Sequence, residues 1–515
     1  MILYLVFVMV PIGFNLGPLA LNGVRLVLLV MILPLMTQLL AGKYDGVFVF
    51  DILFILHILW AVVALAVNNP NQVIQNIGSV GAEFLGGYVL ARAYIRTPAD
   101  FLALCRFLVL SVCLTLPLAV YETVTGRPIL LELIDKLPGI TSVANVIYER
   151  RMGLDRVQLA FAHPIHYGLY CSVAFSLAFV ALSDVSRPVW RYVSSAVLGF
   201  CCFLSLSSGA LLALILQMFL IGWSWLFGKT PRRWLMLVGL FGLLYLTVAL
   251  LSNRTPMKVF MSYATFSAAT AYMRSIMMDW GMVNVWSSPI FGIGLNDWVR
   301  PASIHSNSLD NFWLLMAMRY GIPGFTLLVL GYGLAILQIG HRKFDGDPVL
   351  THIRRAWVFT FLGLSFTLTT VAVWTSIYSF VFFMFGAGVW LIKARPQGAD
   401  PAGADSRAAS GTDAVARTGS DAPQRAALRR WAAPALTPAL TAAPALTPAP
   451  APALAPQAKA ADPSPPILAE VPSRHPSRTG TATRYSRFAH RSGLRDPGPD
   501  DPDPDDPDPD DIGPR

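Results

Sequence analysis

The chain has 515 residues, 55% hydrophobic and only 13% charged, with a mean hydropathy of +0.54. That balance excludes an ordinary soluble globule and points to an all-α, polytopic membrane protein. The net charge of +9 is unevenly divided: residues 396–515 hold 13 Lys/Arg and 15 Asp/Glu, which leaves 26 and 15, or +11, for residues 1–395.

Apolar runs of spanning length recur through residues 1–394. They place about twelve transmembrane helices near 2–20, 22–41, 46–67, 72–91, 100–121, 161–183, 190–206, 208–227, 234–252, 311–340, 355–373 and 375–393. The first run lacks a basic n-region and a clear cleavage site, so it reads as a helix rather than a removed signal. Basic residues mark alternate connections: Lys43; Arg92 and Arg96; Arg187 and Arg191; Lys229, Arg232 and Arg233; Arg342, Lys343, Arg354 and Arg355; Lys393 and Arg395. Twelve crossings with both termini cytoplasmic put all of them on the inner side. Two long loops, about 122–160 and 253–310, are then external and retain cations that invite an anionic ligand. Cys105, Cys113, Cys171, Cys201 and Cys202 sit inside apolar runs and read as small buried residues.

At about residue 396 the composition changes. "ALTPALTAAPALTPAPAPALAP" and "DPGPDDPDPDDPDPDD" cannot bury enough apolar surface to offset ordering entropy. Residues 396–515 are therefore expected to be a disordered cytoplasmic tail without chemistry of its own.

Four external stretches carry the titratable groups. In "YERRMGLDRVQLAFAHPIHYG" (148–168), Arg150, Arg151 and Arg156 precede a span, with His163 and His166 at its border. Guanidinium groups suit phosphate oxygens, although interfacial arginines are also ordinary. Residues 267–287 read as an amphipathic external helix carrying Arg274, which either faces a ligand or pairs with Asp279. In "HSNSLDN" (305–311), His305 or Asp310 can act as a base and Asn311 can orient a sugar hydroxyl; Asp310 also suits an N-cap. Arg319 lies ~12 Å along the helix expected to start at 311, followed by "GIPG", which can break a helix beside a cavity. Within the spans, Glu83 and His57 fall near mid-membrane, where they can pair.

The order of these features resembles the O-antigen ligase/polymerase family of bacterial envelopes. The residues that carry the resemblance are "RMGLDRVQLAFAHP" before a span, "LSLSSGALLAL" between two spans, Arg274, Trp280 and "SSPIFGIG" in the large external loop, and "SLDNFWLLMAMRYGIPG" opening the next span. The likeness covers roughly 120–340. It implies an inner-membrane glycosyltransferase, multi-pass and without cofactor or metal. Its partners are an undecaprenyl-diphosphate-linked oligosaccharide, membrane lipids and other polysaccharide-assembly proteins, with no nucleic acid. The chain departs from the family where Ser207-Ser208-Gly209 replaces Ser-Arg-Gly and where Asp310-Asn311 replaces His-Asn. "SLDNFWL…RYGIPG" looks closer to exopolysaccharide polymerases, so polymerase is favoured over ligase. The expected site is His305 and Asp310 as catalytic groups, with Arg150, Arg151, Arg156, His163, Arg274, Asn311 and Arg319 binding diphosphate or glycan. A twelve-span transporter or flippase is the competing class, weakened by unequal external loops and the lack of a convincing internal repeat. A catalytically inactive assembly scaffold is a third.

Overall fold

In the computed structural model, residues 1–396 are described, except 17, 18, 139, 141, 144–147, 264–267, 303 and 305–307. Helices dominate: α1 (Ile2–Met9), α2 (Gly23–Leu40), α3 (Val49–Asn68), α4 (Val73–Gly81), α5 (Gly87–Tyr94), α6 (Pro98–Thr125), α7 (Ile129–Asp135), α8 (Pro164–Ser176), α9 (Pro188–Leu204), α10 (Ser208–Leu226), α11 (Arg233–Leu251), α12 (Pro256–Tyr263), α13 (Ala268–Ser287), α14 (Phe312–His341), α15 (Pro348–Thr367) and α16 (Thr375–Gly386). Among the described residues, eight helices are long and apolar enough to cross a bilayer. The chain is thus an all-α, multi-pass membrane protein.

The boundaries follow local chemistry. Helix α6 starts with a reciprocal cap in which Thr97 Oγ1 accepts from the Asp100 amide (3.2 Å) and Asp100 Oδ2 accepts from the Thr97 amide (3.0 Å). Its 28 residues span ~42 Å and end at Gly126, whose φ of 70° stops the helix. The expected span 72–91 appears as α4 and α5 joined by a π-helical turn over Ala82–Gly86.

One expected span needs correction. Residues 2–20 do not form a single helix; α1 has eight residues, or ~12 Å, too short for a ~30 Å hydrocarbon layer. A hairpin of β1 (Gly13–Leu16) and β2 (Leu19–Asn22) follows it. Pro11 and Gly13, which the hydropathy pattern passes over, sit where the helix gives way.

The Glu83–His57 pairing is also replaced. Glu83 Oε1 accepts from Arg25 Nε at 2.7 Å, while His57 Nδ1 is 2.8 Å from the Gly324 carbonyl oxygen. A buried carboxylate found a guanidinium from α2, a partner that linear spacing did not suggest.

The basic connections share one end of the bundle. Arg96 approaches Asp45, Arg342 Nη2 donates to the Ala394 carbonyl, and His352 contacts Asp184. At the other end, the finish of α6, the start of α8, the α9–α10 turn, the start of α14 and the α15–α16 turn converge. The Val157 amide donates to Leu204 O (3.2 Å), Thr367 Oγ1 donates to Gly209 O (2.9 Å), and the Phe312 amide donates to Leu368 O (2.9 Å). Glu122, near the end of α6, accepts from the amides of Gln158 (2.7 Å) and Leu159 (3.0 Å), which ties down the chain directly after Arg156.

Helix α14 is broken inside. Gly321 has φ 69° and ψ 178°, so residues 312–320 form a short segment before the long helix resumes. The 289–294 turn docks in this break: Ile293 N donates to Met318 O (2.7 Å), Gly294 N to Arg319 O (3.1 Å), and Ile322 N to Pro289 O (2.7 Å). "SSPIFGIG" and "RYGIPG" are therefore two halves of one backbone joint. A Cβ at Gly321 would lie 2.0 Å from Ile290 O, so the joint requires glycine for both conformation and space.

Candidate functional site

Asn311 caps α14: its Oδ1 accepts from the Leu314 amide at 3.0 Å. The capping reading of Asp310 is thereby corrected. With the N-terminal amide of the helix satisfied by its neighbour, the Asp310 carboxyl is left to the electrostatic influence of three guanidinium groups, those of Arg274, Arg156 and Arg151. Burial raises its pKa above the ordinary carboxylate range, and the three arginines pull in the opposite direction.

The arginines come from separate segments. Arg274 projects from α13 and is 7% exposed; its Nε and Nη1 are buried and have no hydrogen-bond partner among the described residues. Burial lowers its pKa, opposed by Asp310. The alternative partner, Asp279, instead accepts from Lys258 Nζ at 2.8 Å. Arg156 stands 5.5 Å over the Tyr148 ring, and its Nε is likewise buried without a partner among the described residues. Burial, then the charge of Arg151, brings it down to about 10, so it stays protonated at neutral pH. Arg151 closes a bridge with Leu154 and donates from Nη1 to the Leu206 carbonyl at 2.8 Å. That places a guanidinium at the α9–α10 turn, beside Ser207 and Ser208. Ser207 itself caps α10 through the Ala210 amide.

His163 borders the same cluster. Its Nδ1 accepts from the Ile165 amide at 3.0 Å and caps α8, so only Nε2 remains for a ligand. Tyr148 packs on it at 4.7 Å, and Trp374 lies 4.1 Å from His166. Tyr148 and Trp374 were not picked out from the sequence; an aromatic in a hydrophobic chain carries no distinguishing signal.

Two expected members lie apart. Arg150 forms a two-pronged pair with Asp155 (2.9 and 3.0 Å) with its own side chain largely exposed, and it is not among the groups acting on Asp310. Arg319 belongs to the short segment before the α14 break. It lines a cavity of about 170 Å³ with Asn296, Asp297, Trp298 and Leu309. The same 289–295 turn reaches Asn68 and Asn69 at the end of α3, so Arg319 sits at a helix end and not deep inside a continuous span. The reason is the break at Gly321, within the "GIPG" stretch expected to interrupt the helix. His305 lies outside the described residues.

Chemically, the cluster offers a carboxylate of raised pKa beside guanidinium donors with unfilled hydrogen-bond capacity. Buried polar groups are normally satisfied, so these guanidinium nitrogens keep hydrogen-bond capacity that a water or an anionic ligand can fill. No curated protein matches the chain. Residues 193–329, which include Arg274, Asp310 and Asn311, match the family model described as O-antigen ligase. The matched stretch is about a quarter of the chain and supports a likeness to the O-antigen ligase/polymerase family.

Proposed function

We propose that the protein is an inner-membrane polysaccharide polymerase that moves a glycan from undecaprenyl diphosphate to a sugar hydroxyl on the periplasmic side. One observation carries the reading: Asp310 feels the charges of Arg274, Arg156 and Arg151, from two distant segments, while Arg274 Nε and Nη1 and Arg156 Nε have no hydrogen-bond partner among the described residues. In this reading the acceptor hydroxyl loses its proton to the Asp310 carboxylate as its oxygen attacks the anomeric carbon. The bond from that carbon to the diphosphate oxygen breaks, and undecaprenyl diphosphate leaves. The arginines neutralise the departing charge, the part a divalent cation plays in metal-dependent transferases. His305, in the same segment, is the other candidate base.

Ligation of the glycan to lipid A-core is the second reading, favoured by the printed description of the matching family. The two separate by gene deletion, glycan analysis and complementation. Loss of long polymer with single repeats still transferred supports polymerase. Loss of all transfer to lipid A-core supports ligase. Full complementation by Asp310→Asn at normal protein level would remove Asp310 from the catalytic role.

A further inference from the structure

The end of the bundle opposite Asp310 holds a second cavity, of about 200 Å³. It is lined by Arg96, Thr97 and Pro98 at the start of α6, Leu350 at the start of α15, Trp390 and Lys393 in the last turn, Arg395, and Asp45. Helix α6 sets the distance from the first site, since it begins at this cavity and finishes beside Asp155, ~42 Å away by helix length.

Three cations face one carboxylate. Among the described residues, the one ion pair of Asp45 is with Arg96, at a long 3.4 Å. Lys393 Nζ rests 5.6 Å over the Phe48 ring, which positions the ammonium without neutralising it. Neither Lys393 nor Arg395 has a carboxylate partner among the described residues. The cavity volume is far above the ~10–15 Å³ needed by one water. It lies where one helix of spanning length, α6, begins and another, Thr375–Ile392, ends, beside Trp390, which is 6% exposed.

We propose that this cavity binds the phosphate of an anionic phospholipid. A free phosphate offers the same anionic oxygens, but the placement at the ends of apolar helices favours a ligand held in the bilayer. The site is independent of the glycan-transfer reading, because no residue is shared.

The test uses the full chain, purified in detergent and in nanodiscs, with native mass spectrometry and thermal unfolding as readouts. Phosphatidylglycerol, phosphatidylcholine and inorganic phosphate are titrated separately. Phosphatidylglycerol should be retained and should raise the unfolding temperature. The Lys393→Gln/Arg395→Gln variant should bind it on the order of thirtyfold more weakly at the same salt. Lys393→Arg should keep binding near the unmodified level, which separates charge loss from misfolding. Equal retention of phosphatidylglycerol and phosphatidylcholine, or unchanged binding by the double variant, would overturn the site. Protection by inorganic phosphate without protection by phosphatidylglycerol would overturn the lipid assignment.

Discussion

Arg274→Ala separates a ligand-binding arginine from a structural one. A buried arginine that holds the fold together has its donors on protein acceptors, and truncating it leaves those acceptors unsatisfied at ~1–3 kcal/mol. Arg274 Nε and Nη1 have no such acceptors among the described residues. Its removal leaves Asp310 with two of its three neighbouring guanidinium groups, Arg156 and Arg151. The unfolding temperature of the purified variant should therefore change little. Loss of one preorganised donor to a departing charge costs about 10²–10³ in rate. Polymer formation from a lipid-linked repeat unit, followed by gel or mass analysis at matched protein level, should fall by that factor. Arg274→Lys should recover part of the rate, because charge returns without the two-pronged geometry. Unchanged synthesis by Arg274→Ala, or a large drop in stability with the residual rate per folded molecule intact, would refute the reasoning.

Asp310 predicts a pH dependence of definite sign. Only its ionised form accepts a proton, so activity should rise as pH increases through its pKa, which burial raises and Arg274, Arg156 and Arg151 hold down. Arg274→Gln should therefore move the acidic limb of the rate profile to higher pH; an unmoved limb would show that Asp310 is not the titrating group. Gly321→Ala should destabilise the protein by about 2–4 kcal/mol and strongly reduce activity, because φ is 69° and the new Cβ would meet Ile290 O; an unfolding temperature equal to the unmodified protein's would contradict the α14 joint. Truncation after Arg395 should leave transfer intact in vitro, since the tail composition cannot form a core; abolished transfer would refute this.

Hydropathy alone determined the all-α membrane architecture, because burying backbone polar groups in lipid admits few other solutions. The charge pattern grouped the connections that carry Arg96 and Arg342, and the Arg96–Asp45 and Arg342–Ala394 contacts each join two of the grouped connections. Composition also set residues 396–515 apart from the rest, and all of these but 396 lie outside the described residues. The motif order picked out Arg151, Arg156, Arg274 and Asp310 as candidates. It could not show that Asn311 takes the cap, that Arg150 turns to Asp155, or that Asp279 goes to Lys258. Each choice is a competition between partners far apart in the chain, and linear spacing carries no information about which partner is nearer. The same limit hid the short α1, which an averaged hydropathy window smooths away, whereas "GIPG" did mark the helix break that the structure places at Gly321. Only the folded chain decides where each guanidinium finds its countercharge, because Coulomb energy depends on separation in space.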